Sequence, residues 1–263
     1  MAGAAAWGLA ASALLAFVAW LGSLARHDAS LVDRFWAGLV GAAALGFACA
    51  LPAGGPRAPW MGALLAAWAL RLTVYITRRN WGHGEDRRYQ AIRARNQPNF
   101  GLKSLVLVFG LQALVAWIVA MPFLAGFAGG QPLGPLDLAG ALLAAFGIAF
   151  EAAADAQMAR FKADPAQAGQ VMDRGLWRWS RHPNYFGEAC TWWGLWSMAA
   201  AAGGGWTVFS PALMTLLLLK VSGVVLLEKD IAERRPAYRD YIARTSRFVP
   251  WPPKRRRGDG FSA

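Results

Sequence analysis

Apolar runs of about twenty residues recur along this chain, at 4–25, 32–51, 60–78, 104–127, 136–158, 185–202 and 206–227. An α-helix needs about 20 residues to cross a hydrocarbon core of roughly 30 Å, and only helices or closed barrels satisfy their backbone polar groups there. The runs therefore predict an all-α polytopic integral membrane bundle of about seven transmembrane helices. Only 16% of the 263 residues are charged, well below the roughly 25% of a soluble domain. Trp7 and Trp20 stand near the two ends of the first run like interface anchors, and no basic leader precedes it, so the expectation is a retained helix rather than a cleaved signal.

Charge sets the expected orientation. With the N-terminus outside, the segments 26–34, 78–103, 160–182 and the tail from 229 share one side and hold 24 of the 27 Lys and Arg residues. The opposite loops, 52–59, 128–135 and 203–205, hold only Arg57. Basic loops stay in the cytoplasm, which predicts a C-terminus there and, for a bacterial chain, an inner-membrane location. The net charge of +12 is thus accounted for by topology, anionic headgroups and a phosphorylated cofactor, with no nucleic acid and no obligate protein partner required.

Cys49 and Cys190 fall in separate spans, and His27, His83 and His182 on three separate loops, so no metal centre is expected. No internal repeat and no long linker divide the chain. The reading is one transmembrane domain over 1–253, followed at 254–263 by a basic tail expected to be disordered.

Ionisable residues inside spans are costly and mark sites by default. In "ALRLTVYITRR", Arg71, Tyr75 and Arg78 share one helix face; in "FEAAADAQMARFK", Glu151, Asp155, Met158 and Lys162 do the same. Arg71 and Glu151 each lie roughly 12 Å from the basic end at 1.5 Å per residue. Glu188 opens the sixth run, Asp33 the second, and Lys220 and Glu228 share the seventh. All fall in the half of their helix nearest the basic loops, which predicts a polar cavity facing the cytosol. Pairing that merely holds the bundle together is the alternative for any single residue.

The stretch "SRHPNYFGE", 180–188, reads as a helix start: Pro183 suits the first turn, Ser180 or Asn184 can cap, and Glu188 drops one turn in, where the helix dipole favours an ionised carboxylate. Together with "LLEKDIAERRPAYRDYIARTSRFVPWPP" some forty residues later, it resembles the C-terminal part of the steroid 5α-reductase superfamily, in particular its bacterial membrane proteins of mostly unassigned substrate. The resemblance runs from about Asp33 to Pro253.

The resemblance implies a membrane reductase that takes NADPH from the cytosol and transfers hydride to the C=C bond of an enone lipid, a steroid or another isoprenoid or fatty lipid. It implies cofactor contacts at Asp155, Asn184 and Glu188, with Glu151 and His182 beside them. Arg160, Lys162, Arg178 and Arg181, joined by Arg78 and Arg79, become the phosphate-side cations. Tyr75 resembles the tyrosine that hydrogen-bonds the substrate carbonyl, and Asp33 is the acid proposed to partner it. Asp33 stands where the steroid enzymes carry a glutamate, and Glu151 where they carry an asparagine. No G-x-G-x-x-G fingerprint is present, so a cofactor has to bind between helices.

Two other classes stay open. The "RHP-N-Y" ending is shared with membrane methyltransferases that resemble isoprenylcysteine carboxyl methyltransferase and use S-adenosylmethionine; Glu188 directly after the glycine favours the reductase. A lipid-binding protein without turnover is the third reading. The "WGHGEDRRYQAIR" stretch is either an ordinary solvated helix or a lid in which Arg78, Arg79, Asp86 and Arg95 close over a ligand on Gly82 and Gly84 hinges.

Overall fold

The computed structural model describes residues 1–51, 54–221 and 236–254. The predicted tail beyond Lys254, and Glu228, lie outside the described residues. Nine helices carry the fold among those described: α1 (Ala2–Arg26), α2 (Leu31–Ala50), α3 (Ala58–Arg79), α4 (Arg87–Arg95), α5 (Phe100–Ala128), α6 (Pro135–Ala163), α7 (Pro183–Ala199), α8 (Phe209–Leu216) and α9 (Ala237–Arg244). No strand occurs among them.

Among the described residues, six stretches are long and apolar enough to cross a membrane: α1, α2, α3, α5, α6 and Pro183–Lys220. Large apolar side chains such as Leu14, Leu70, Val106 and Leu142 point outward from them, as lipid-facing residues do. The chain is a polytopic helical membrane protein. The sixth and seventh expected runs fall together in Pro183–Lys220, which Gly203 interrupts with a left-handed φ of 82°; the remainder of the seventh lies outside the described residues.

Two compact units divide the chain. The first comprises 1–141 and 194–210, the second 142–193 and 211–263. In the first unit, α1 buries Ala4, Gly8, Ser12, Ala16, Ala19 and Ser23, a stripe of small residues at helical spacing, and α2 packs closely along it. Lipid tails provide no hydrophobic drive between helices, so close approach and interhelical hydrogen bonds hold them. Trp20 Nε1 donates to the Gly101 carbonyl and Trp117 Nε1 to the Ala5 carbonyl, each at 2.9 Å, joining α1 to α5. Pro122 breaks the ladder of α5; Phe123 N turns to the Ala120 carbonyl, and the Ser210 hydroxyl takes up the Val119 carbonyl at 2.5 Å.

Arg57, 1% exposed, closes one end of this unit. Its Nε and Nη2 grip both carboxylate oxygens of Asp137 at 2.7 and 2.9 Å, while Nη1 and Nη2 also reach the carbonyls of Gln131 and Pro132. Asp137 in turn caps the start of α6 by accepting from Gly134 N at 2.8 Å.

In the second unit α6 and α7 meet backbone to backbone. A Cβ on Gly147 would stand 2.5 Å from the Gly187 oxygen, and one on Gly187 would stand 2.7 Å from the Glu151 nitrogen. Only glycine permits this approach, and it sets the turn that carries Glu151 beside the turn that carries Glu188.

Candidate functional site

Each unit holds one part of the predicted site: Asp33, Tyr75, Arg78 and Arg79 in the first, the remaining residues in the second.

In the first unit Asp33 sits on the opening turn of α2. Its Oδ1 accepts from the Tyr89 hydroxyl at 2.6 Å and its Oδ2 from Arg88 Nη2 at 3.0 Å. The tyrosine hydroxyl on this carboxylate is therefore that of Tyr89, not of Tyr75 as the sequence suggests, because α4 lays Tyr89 against the first turn of α2. Burial, and then the neighbouring Asp33 carboxylate, push the Tyr89 hydroxyl well above its ordinary range, which keeps it a donor. Tyr75 lies half-buried on α3 with the Arg79 guanidinium 5.7 Å above its ring. Arg78 is exposed, and Arg79 also donates to Asn80 Oδ1 at 3.1 Å.

The stretch read as a solvated helix or a lid forms α4. Asp86 is the N-cap of α4, accepting from Arg88 N at 2.9 Å. Glu85 takes Arg93 on both oxygens at 2.8 Å and the Ala29 amide at 2.8 Å. Burial works against its charge, but these three hydrogen bonds hold the carboxyl below its ordinary pKa. Arg95 is exposed at the end of α4.

The second unit gathers Glu151 and Asp155 on α6 and Asn184 and Glu188 on α7, with the three carboxylates at most 4% exposed. Asn184 Nδ2 donates to Asp155 Oδ1 at 3.2 Å, and Trp192 Nε1, one turn on, donates to Glu188 Oε1 at 2.9 Å. Asn184 Oδ1 is buried and has no hydrogen-bond partner among the described residues. A buried acceptor left this way costs about 1–3 kcal/mol, so the position suits a donor from a ligand. His182 stacks on Tyr185 with ring centroids 5.6 Å apart.

Of the expected cations, Arg160 and Lys162 are exposed in the last turn of α6 and Arg178 on the 3-10 turn Gly175–Arg178. Arg160 borders a cavity of about 400 Å³ with Gln157, Phe161, Met172 and Arg174. Arg181 behaves differently. It is buried, and its Nη1 donates to the carbonyls of Ile242 and Thr245 at 3.0 and 2.9 Å. Two orphan carbonyls near the end of α9 claim this guanidinium, which makes it an anchor for the C-terminal segment rather than a solvent-facing phosphate ligand.

That anchor is one stitch of several. Tyr241, 2% exposed, donates to the Trp177 carbonyl at 2.5 Å; Arg181 N donates to Ser246 O at 2.8 Å and Trp251 N to Trp179 O at 2.9 Å. Ser180 bridges both sides, giving its hydroxyl hydrogen to Phe248 O at 2.7 Å and accepting from His182 N at 3.1 Å. Arg244 pairs with Asp173. The 237–254 segment thus braces the turn that launches α7 and its site residues. Tyr241, Tyr89 and Trp192 were not picked out from sequence. The spacing of Trp192 four residues after Glu188 was the one legible signal.

Residues 19–245 match the profile of a family described as Protein of unknown function (DUF1295). The chain is also similar to the uncharacterized protein C594.04c of Schizosaccharomyces pombe, at 29% identity over 272 residues, covering 92% of this chain and 78% of the yeast protein. No solved structure matches.

Proposed function

The chain belongs to the DUF1295 family, a steroid 5α-reductase-like family of unknown function, and from this premise we propose that it is a membrane-embedded reductase that uses NADPH to saturate the C=C bond of an enone lipid. The observation that carries the reading is the buried set Asp155, Asn184 and Glu188, with the Asn184 oxygen left over. An amide whose nitrogen is committed to Asp155 and whose oxygen lacks a donor among the described residues fits a carboxamide or ribose hydroxyl.

Asp155, Asn184 and Glu188 would hold the nicotinamide end, with Glu151 and His182 close by in the same unit. Within the same unit, the exposed Arg160, Lys162 and Arg178 would meet phosphates. When bound, NADPH supplies hydride to the β-carbon of the enone. Negative charge then collects on the carbonyl oxygen, where this reading assigns Tyr75 as the hydrogen-bond donor, and a proton from water completes the α-carbon. Asp33 acts through Tyr89 and Arg88, holding α4 against the start of α2. On this reading the chain lies in a bacterial inner membrane with the N-terminus outside and the basic loops and C-terminus in the cytoplasm, where the reductant is.

Titration of the purified protein with NADPH, with NADH and S-adenosylmethionine in parallel, tests this through thermal stability and nicotinamide fluorescence. NADPH is expected to bind, and Glu188→Gln to weaken it about 10-fold, the worth of one hydrogen bond to a charged group. A response to S-adenosylmethionine alone would sink the reading.

A further inference from the structure

We propose that the cavity between the α1–α2 turn and the 81–85 loop binds a phosphate group, carried by a phospholipid headgroup or by a free phosphate compound. The cavity measures about 430 Å³, and Arg26, His27, Asp28, Arg34, His83 and Glu85 line it. It belongs to none of the residues assigned above to cofactor or substrate.

The anions in this lining are already engaged. Asp28 Oδ1 accepts from both the amide and the hydroxyl of Ser30, at 2.9 and 2.5 Å. Glu85 has Arg93 on both oxygens and the Ala29 amide on one. The cations are not. Arg34 commits Nη2 to the Asn80 carbonyl at 2.9 Å and keeps its other donors. Arg26, exposed at the end of α1, makes no hydrogen bond or ion pair among the described residues. Arg93, outside the lining, answers Glu85, so the lining's Arg26 and Arg34 face the Asp28 carboxylate alone, which leaves one positive charge in surplus before either imidazole is counted.

Position names the ligand chemistry. α1 ends at Arg26, α2 begins at Leu31 and α3 ends at Arg79, so the cavity lies where three apolar helices leave the hydrocarbon. Headgroup phosphates occupy that depth. Trp81, 73% exposed on the rim, is of the residue type that settles there. Guanidinium forks match phosphate oxygens in pairs, which distinguishes this ligand from a simple counter-ion.

The test uses the full chain in a neutral detergent, titrated with phosphatidylglycerol, phosphatidylcholine or inorganic phosphate while the melting temperature is followed. Phosphatidylglycerol is expected to raise the melting temperature saturably and phosphatidylcholine to leave it unchanged, because only a ligand bound to the folded state stabilises it. In the double variant Arg26→Gln with Arg34→Gln, the half-effect concentration should rise about 10-fold. Arg26→Gln alone, which removes a side chain that supports nothing else, should carry part of that loss. Arg87→Gln with Arg95→Gln, which lie outside the lining, should leave the response intact. If inorganic phosphate saturates the same residues and blocks the lipid response, the site takes free phosphate compounds; if only phosphatidylglycerol acts, it takes lipid. Equal loss in the two double variants, or no saturable response to either anionic probe, overturns the proposal.

Discussion

Asp137 and Asp155 lie on one helix, about five turns apart at 3.6 residues per turn, and are almost equally buried. Asp137 is closed off: a guanidinium grips both its oxygens, a backbone amide caps it, and Arg57 spends its remaining donors on carbonyls. Asp155 instead meets an asparagine whose own oxygen has no donor among the described residues. A polar cluster with every valence answered is an element of architecture, whereas one with a valence left over is prepared for something that arrives later. The two aspartates therefore call for opposite responses to mutation.

The sharpest way to break that contrast is Arg57→Leu. It leaves Asp137 buried without its cation and is expected to cost roughly 3–5 kcal/mol, read as a large drop in the melting temperature in detergent. Tyr241→Phe comes next, with a loss of roughly 1–3 kcal/mol from the orphaned Trp177 carbonyl. It should also raise hydrogen exchange across 177–188, since the brace on the start of α7 is cut; unchanged exchange there would separate the segment from the site.

Asn184→Leu should change stability by less than about 1 kcal/mol, because a weak hydrogen bond is lost along with an unsatisfied oxygen. On the proposed reading its effect falls on NADPH binding, and a large loss of stability instead would place Asn184 with Arg57 as architecture.

The smallest effect concerns Glu85. Its folded pKa lies below the ordinary 4.5, so the stability it contributes is present above that value and is lost as pH falls through the lower folded one. The melting difference between wild type and Glu85→Gln should thus be seen near pH 7 and vanish in acid below the folded value; a difference that persists there would show that the charge is not its source.

The spans were legible because a bilayer imposes a length on every helix that crosses it, and a run such as 32–51 cannot hide. Breaks inside a span were less so. Pro122 sits within an apolar run, and only the serine that answers the freed carbonyl, 91 residues away, reveals how the kink is tolerated. Ser180 as a cap and Glu188 as a buried carboxylate could be read from local spacing alone. The hydroxyl on Asp33 could not, because Tyr75 and Tyr89 both stand on the same side of the chain's topology and the choice depends on how α4 folds back. Arg181 was legible as a cation but not as an anchor, since its partners are backbone carbonyls, which leave no trace in composition.

The contact between Gly147 and Gly187 has a mechanical consequence. Where main chains touch, no rotamer can yield, so this part of α6 and α7 behaves as a rivet. Any opening that admits a bulky lipid has to come from elements outside the riveted pair. The same rivet is indifferent to drift among lipid-facing side chains, which can change without disturbing the spacing between the carboxylates it holds.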